Sequence, residues 1–368
     1  MKYIKFFHVE SEYQDYKNGD ILLPNVSYTE DSGNVYYNPY VDWSKEYLTF
    51  EITSPGIVMW KASRAVSSAY KTIYYSLNGG DWIAITSSTG GVSFNVTTGD
   101  IVRFKGTNNS YGAFSQYGYG ARFNGTTAGF IVEGNIMSLI NADNFRTMDA
   151  LTAGTYNFYQ LFYGCSGLTS ARNLVFPATA LTNSCYSCIF QYCENLMYVP
   201  QLPTARMASQ CYYGMYAYTN ALPDCTNMPF DDPQAVQSGG FRGFFSCMKV
   251  TDEYLYNVLP KNENDEYCLP VTAISAYCYD YMFDSCELLT TAPTLPATTL
   301  PNQCYRRMFM RCPNLSHVKC LATDISASSC TADWLSGVSA TGTFVKKAGV
   351  TWPSGVSGIP DGWTVIEE

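Results

Sequence analysis

The sequence predicts a mainly β chain. Short N-terminal strands and a β-sandwich come first, then a solenoid of about six coils with a period of 26 residues, then a C-terminal cap. Three observations predict this. A cysteine- and aromatic-rich phrase recurs at fixed spacing through the second half, and a fixed period in the 20s marks a stack of similar coils. Seven short runs of strand-forming residues crowd residues 46–135. Beyond Cys330 the phrase stops, and Trp334, Trp352 and Trp363 follow among short apolar runs. An end coil needs such cover because its core side chains would otherwise face water.

The expected units are 1–45, 46–135, 136–330 and 331–368. In the first, apolar clusters at Tyr3–Phe7, Ile21–Leu23 and Val35–Tyr37 predict two or three strands, with turns at Asn18-Gly19 and Asp31-Ser32-Gly33. In the second, strands are expected at 47–52, 57–62, 71–77, 82–86, 92–97, 100–106 and 128–134. Asn78-Gly79-Gly80-Asp81 is a tight hairpin signal between two of them. Closely spaced short strands suggest a sandwich. The Gly/Tyr/Asn-rich stretch Thr107–Gly125 reads as a loop or loosely held hairpin. Residues 135–145 read as a short helix leading into the first coil and covering its end.

In the third unit the phrase starts at Asn157, Cys185, Cys211, Gly239, Cys278 and Cys304. Its core is aromatic, two residues, Cys, two residues, apolar. Examples are Phe162/Cys165/Leu168, Phe190/Cys193/Leu196, Phe283/Cys286/Leu289 and Phe309/Cys312/Leu315; weaker copies are Tyr216/Thr219/Leu222 and Phe244/Cys247/Val250. A second apolar beat follows, as Val199/Leu202, Ala292/Leu295 and Val318/Leu321. One coil cannot bury these residues alone, whereas stacked coils set like on like. An insertion, Lys261–Tyr267, interrupts the fourth copy.

The segments MFDSCELLTTAPTLPATTL and MFMRCPNLSHVKCLATDI, with the ending GTFVKKAGVTWPSGVSGIPDGWTV, resemble the BspA-type leucine-rich repeat of surface proteins in Bacteroides-like bacteria. The likeness spans Asn157 to Glu368 and departs from the pattern at Thr219 and at the insertion. It implies a leucine-rich-repeat solenoid, with the recurring Cys lining the turn inside each coil. The N-terminal stretch SEYQDYKNGDILLPNVSYTEDSGNVYYNP looks like the opening of structural proteins in phages of such hosts.

Composition narrows the function. Charged residues are 14% of the chain and the net charge is −9, without a long Lys/Arg run, so nucleic-acid binding is not expected. No stretch of 18 apolar residues marks a membrane span. The opening MKYIKFFHVE lacks the long apolar core of a secretory leader, which predicts a chain made in the cytoplasm. The fourteen cysteines lie between Cys165 and Cys330 and are expected to be free buried thiols acting as small hydrophobes.

Catalytic and metal signals are weak. His8 and His317 lie in different units, and Cys312 near His317 belongs to the repeat core. Cys185 and Cys188 form a single CxxC pair, read as core because a zinc site needs further ligands. The acidic pairs Asp231-Asp232, Asp265-Glu266 and Glu367-Glu368 read as solvated loop charges. No cofactor or metal is expected. Sugar faces stack on exposed aromatic rings, so Tyr111, Tyr117 and Tyr119, with Asn108 and Asn109, are the candidate ligand cluster.

The resemblances together imply a non-enzymatic phage virion protein: a head fibre, decoration or tail-associated component. Its location would be the virion. Its partners would be other virion proteins held through the N-terminal segment, copies of itself in a homo-oligomer such as a trimer, and host surface glycans. A bacterial cell-surface leucine-rich-repeat adhesin is the alternative, and a glycan-cleaving enzyme the third reading.

Overall fold

A computed structural model describes residues 41–113, 119–151, 154–202, 207–220, 222, 239–269 and 271–368, together with the backbone of 28–31 and 34–37. The chain is mainly β, with several open sheets. Strands β1 (Tyr28–Asp31) and β2 (Asn34–Tyr37) pair antiparallel with Asp31 opposite Asn34; β2 covers the expected Val35–Tyr37 run, whereas β1 lies on none of the expected clusters, and Tyr3–Phe7, Asn18-Gly19 and Ile21–Leu23 lie outside the described residues.

The expected strands of the second unit form as β3 (Leu48–Ser54), β4 (Gly56–Ala62), β5 (Thr72–Leu77), β6 (Ile83–Thr86), β7 (Val92–Val96), β8 (Ile101–Gly106) and β11 (Gly129–Asn135). The Gly/Tyr/Asn-rich stretch adds two short ones, β9 (Gly112–Ala113) and β10 (Tyr119–Arg122), paired antiparallel. Two sheets result. One orders β7-β4-β10-β9; the other contains β11-β3-β8-β5-β6. Tyr75 of β5 stacks on Phe94 of β7 at 3.9 Å, so the sheets face one another, consistent with a sandwich. At the predicted hairpin Asn78 and Gly79 take φ of 51° and 75°, the left-handed pair a tight two-residue turn demands. Between the sheets Phe50, Trp60, Phe104 and Phe123 are fully buried, and the Trp60 indole N–H donates to the Lys71 carbonyl at 2.8 Å.

The expected helix is shorter than its segment: α1 (Ser138–Asn141), followed by a 3-10 turn at Ala142–Thr147. It packs on β8, where the Ser138 hydroxyl donates to the Phe104 carbonyl. β12 (Leu168–Ser170) and β13 (Leu174–Val175) pair parallel with β11, so the first repeat continues the larger sheet past residue 135.

The repeats share an unusual backbone. Tyr156, Gln160 and Gly164 have positive φ, one every four residues. Their counterparts recur in ribbons that begin at Ser184, Gln210, Gly239, Tyr277, Gln303 and Ser329, seven ribbons among the described residues. Amide partners alternate. The N–H groups of Phe158, Gln160 and Phe162 donate to Cys185, Ser187 and Ile189 of the next ribbon; those of Tyr159, Leu161 and Tyr163 donate three residues back. Every amide from 158 to 165 thus has a backbone partner. That network holds residues in a left-handed conformation costing about 1 kcal/mol or more apiece for non-glycine side chains.

Side chains then stack in register. Rings at one position run Phe158, Tyr186, Tyr212, Phe241, Tyr279 and Tyr305, with neighbours 5.8–6.5 Å apart. At a second position Phe162 lies 5.6 Å from Phe190, and Phe283 lies 5.5 Å from Phe309. The first row ends on Tyr111 and the second on Phe123, so residues of the preceding β unit cover the N-terminal end, a role expected of the 135–145 segment. At the other end Trp334 stacks on Tyr305 and Trp352 on Trp334. β14 (His317–Cys320), β15 (Gly342–Lys346) and β16 (Trp363–Glu367) form a parallel sheet beside them.

The structure departs from the expected repeat at three places. In the fourth ribbon Phe245, not Phe244, stacks on Phe283, at 5.4 Å. Met248 therefore takes the ladder position, while Cys247 takes the left-handed one with φ 59°. The last copy buries Val318 and Cys320 rather than Leu321, because β14 alternates sides. The insertion is longer than expected and holds a helix, α2 (Asp252–Val258), capped by the Thr251 side chain.

Ladder thiols have a role beyond filling space. Cys193, Cys286 and Cys312 each donate S–H to the carbonyl of the preceding ribbon's Phe162, Phe245 and Phe283, at 3.0, 3.2 and 3.0 Å. The thirteen described cysteines are free, and among them only Cys247 and Cys268 are partly exposed. Burial pushes the Cys193, Cys312 and Cys320 thiols up to about 12, which leaves roughly a thousandfold less thiolate than an ordinary cysteine at neutral pH. Among the described cysteines Cys247 and Cys268 should react first with a thiol reagent on the native protein, with the ladder set lagging until unfolding exposes it. Equal native reactivity along the ladder would contradict this packing.

Candidate functional site

Each ribbon points its aromatic and ladder positions inward and leaves two outward pairs, represented by Tyr159/Gln160 and Tyr163/Gly164 in the first. On successive ribbons these pairs make ridges along one face. Charge is laid out across coils. Asp280 is fully buried, with Arg306 bidentate on it at 3.1 and 2.7 Å and Arg242 at 3.0 Å from the other side. Asp284 is 4% exposed, and both its oxygens accept from Arg311 at 3.1 and 2.6 Å. Arg307 donates to the Tyr281 hydroxyl and reaches Asp333 at 3.3 Å.

Between the ridges runs a shallow groove of about 310 Å³. Its floor is made by small residues at outward positions, Gly214, Ala217, Gly243 and Ser246, where other ribbons carry larger groups. Tyr192 and Tyr218 form one wall, ring on ring at 4.3 Å, with Tyr218 39% exposed. Tyr213, Arg242 and Tyr281 form the other, the guanidinium 5.1 Å from the Tyr213 ring centre. The Asp284–Arg311 pair closes one end.

No family model, curated protein or solved structure matches this chain.

The cluster expected from sequence is placed elsewhere. Tyr111 is fully buried; its hydroxyl donates to the Leu139 carbonyl at 2.5 Å, and Asn108 donates to that hydroxyl at 3.2 Å. It belongs to the core and offers no face to a ligand. Asn109 is exposed, and its carbonyl accepts from Asn157. Tyr119 contributes backbone to β10, and Tyr117 lies outside the described residues. Cys185 and Cys188 are both buried, Cys188 at a left-handed ribbon position. His317 opens β14, and Cys312 points into the core. Asp231 and Asp232 lie outside the described residues, whereas Glu266, Glu367 and Glu368 are held by Lys319 and Lys346. Among the described residues no group of His, Cys, Asp and Glu is placed to hold a metal, and no helix is long and apolar enough to cross a membrane.

One buried acid lies outside the groove. Glu133 on β11 is 2% exposed, accepts from Asn173 at 2.8 Å and faces Glu51, itself raised by burial. Burial, and secondarily Glu51, pushes Glu133 up to about 7, against an ordinary 4.5. The folded state therefore holds a proton that the unfolded state has lost between these values. Stability should fall as pH rises from about 4.5 to about 7, by on the order of 3 kcal/mol. Glu133→Gln should flatten that decline in denaturant midpoints measured at pH 5 and pH 8; an unchanged decline would show that Glu133 is ionised throughout.

Proposed function

We propose that this chain is a non-enzymatic phage virion protein, a head-fibre, decoration or tail-associated component, displayed as a homo-oligomer. In this reading the stacked ribbons are the coils of a leucine-rich-repeat solenoid, and the attachment segment is the expected 1–45 unit less residues 41–45, which pack on the fold through Ser44 and Lys45. The likeness of residues 11–39 to phage structural openings and of the repeats to host surface proteins supports the setting.

The observation that carries the recognition role is the separation of duties within each ribbon. Inward positions and backbone amides are committed to the stack, while on the other side Tyr192, Tyr218 and Arg307 stand at least partly exposed and can meet a partner. Binding is favoured over catalysis by the state of the groove's acid: both Asp284 oxygens are occupied by Arg311, which leaves it a poor general acid or base.

Mass spectrometry of purified particles tests the setting. The polypeptide is expected at fixed stoichiometry with the major capsid proteins. Its absence from particles, or its recovery from the envelope of uninfected cells, would overturn the proposal and favour the adhesin reading.

A further inference from the structure

We propose that the groove across the second to sixth ribbons binds an uncharged oligosaccharide laid along the stack. This deepens the recognition reading above and rests on it. The exposed Tyr218 ring, backed by Tyr192, offers a flat apolar face of the kind that stacks on the C–H face of a pyranose. Around it Ser246, Arg242 and the Asp284–Arg311 pair supply polar groups for hydroxyls.

Charge selects the ligand class. Arg242 sits 3.0 Å from Asp280, and Arg311 sits 2.6 Å from Asp284. An anionic ligand would have to compete with these buried carboxylates, and a cation with the guanidiniums. A polyhydroxylated neutral molecule can accept from Arg242 and Arg311, which line the groove, without separating either pair. Spacing agrees: hydrogen-bonded ribbons follow one another at about 5 Å, comparable to one sugar unit of an extended glycan, so successive units meet successive ribbons.

The repeat itself supplies the test variant. Gly243 holds the left-handed position occupied by Gln160, Tyr281 and Arg307 in other ribbons, and a Cβ there meets its nearest atom, Tyr213 Cε2, at 3.7 Å. Gly243→Gln therefore meets no clash and fills the groove floor, at the left-handed backbone cost that Gln160, Tyr281 and Arg307 already carry in their ribbons. The experiment is affinity electrophoresis of the full chain in native gels containing dextran, mannan, galactan or xylan, with polygalacturonate as the acidic polymer. At least one neutral polymer is expected to retard the wild-type chain, more strongly than polygalacturonate does. Gly243→Gln and Tyr218→Ala are each expected to weaken retardation at least tenfold, with the circular dichroism of Gly243→Gln unchanged. Retardation by none of the neutral polymers, stronger retardation by polygalacturonate, or undiminished binding by folded Gly243→Gln would overturn the inference. Failure here leaves particle incorporation unaffected, so the two readings fail separately.

Discussion

Phe283→Ala is expected to lower the unfolding free energy by about 3–5 kcal/mol, the range for a large aromatic removed from a packed interior. Phe283 is fully buried between Phe245 and Phe309, at 5.4 and 5.5 Å, with nearly parallel rings. Its loss removes ring contacts to two ribbons at once. The stack leaves little room to collapse, because the amides on either side are tied to neighbouring ribbons: Phe283 N–H donates to Met308 and Phe309 N–H to Trp334. Denaturant unfolding should show the loss as an earlier midpoint. An unchanged midpoint would mean that the ribbons are not stacked in this register.

Asp280→Ala is the second large effect, expected at about 3–5 kcal/mol. Removing the carboxylate leaves Arg242 and Arg306, each 24% exposed, facing one another without the group that paired them. Breaking a buried pair from one side costs more than the pair contributes, because desolvated charge stays behind. The Arg307–Asp333 pair is the internal comparison. Its side chains are 38% and 43% exposed, and Asp333→Ala should change stability by less than about 1 kcal/mol. Equal effects at Asp280 and Asp333 would mean that burial does not distinguish the two pairs.

The β-strands of the second unit were legible because alternation and turn residues are local signals, and the Asn78-Gly79 turn formed where they placed it. The aromatic and cysteine rows were legible wherever the period was intact, as at Phe283 and Phe309. The fourth ribbon is ambiguous by one residue in sequence because Phe244 and Phe245 both satisfy the apolar pattern; only pairing across ribbons separates them. Thr251-Asp252-Glu253, a capping residue followed by acids in the first turn, could have signalled α2.

The groove was less visible. Arg242 and Asp280 are 38 residues apart because the insertion intervenes, whereas Asp280 and Arg306 keep the period of 26. Its floor depends on small side chains at Gly214 and Gly243, and smallness at an outward position carries no periodic signal. The Gly, Asn and Ser neighbours of Tyr111 suggest a surface position. In the fold that stretch crosses the end of an aromatic row, and the ring caps it at 6.3 Å from Phe158.

The attachment role of the N-terminal segment is the claim on which the proposed function turns. Residues 41–45 belong to the body of the fold: Asn135 donates to the Ser44 carbonyl at 2.9 Å and Arg146 to the Lys45 carbonyl at 2.8 Å. A truncation that spares these contacts removes residues 1–40. The decisive measurement is the copy number per purified particle of the full chain and of the 41–368 chain, each supplied in trans during infection by a phage lacking the gene. Full incorporation of the first and none of the second is expected, with the truncated chain folded in solution. Incorporation of the 41–368 chain at the full-length copy number would contradict it.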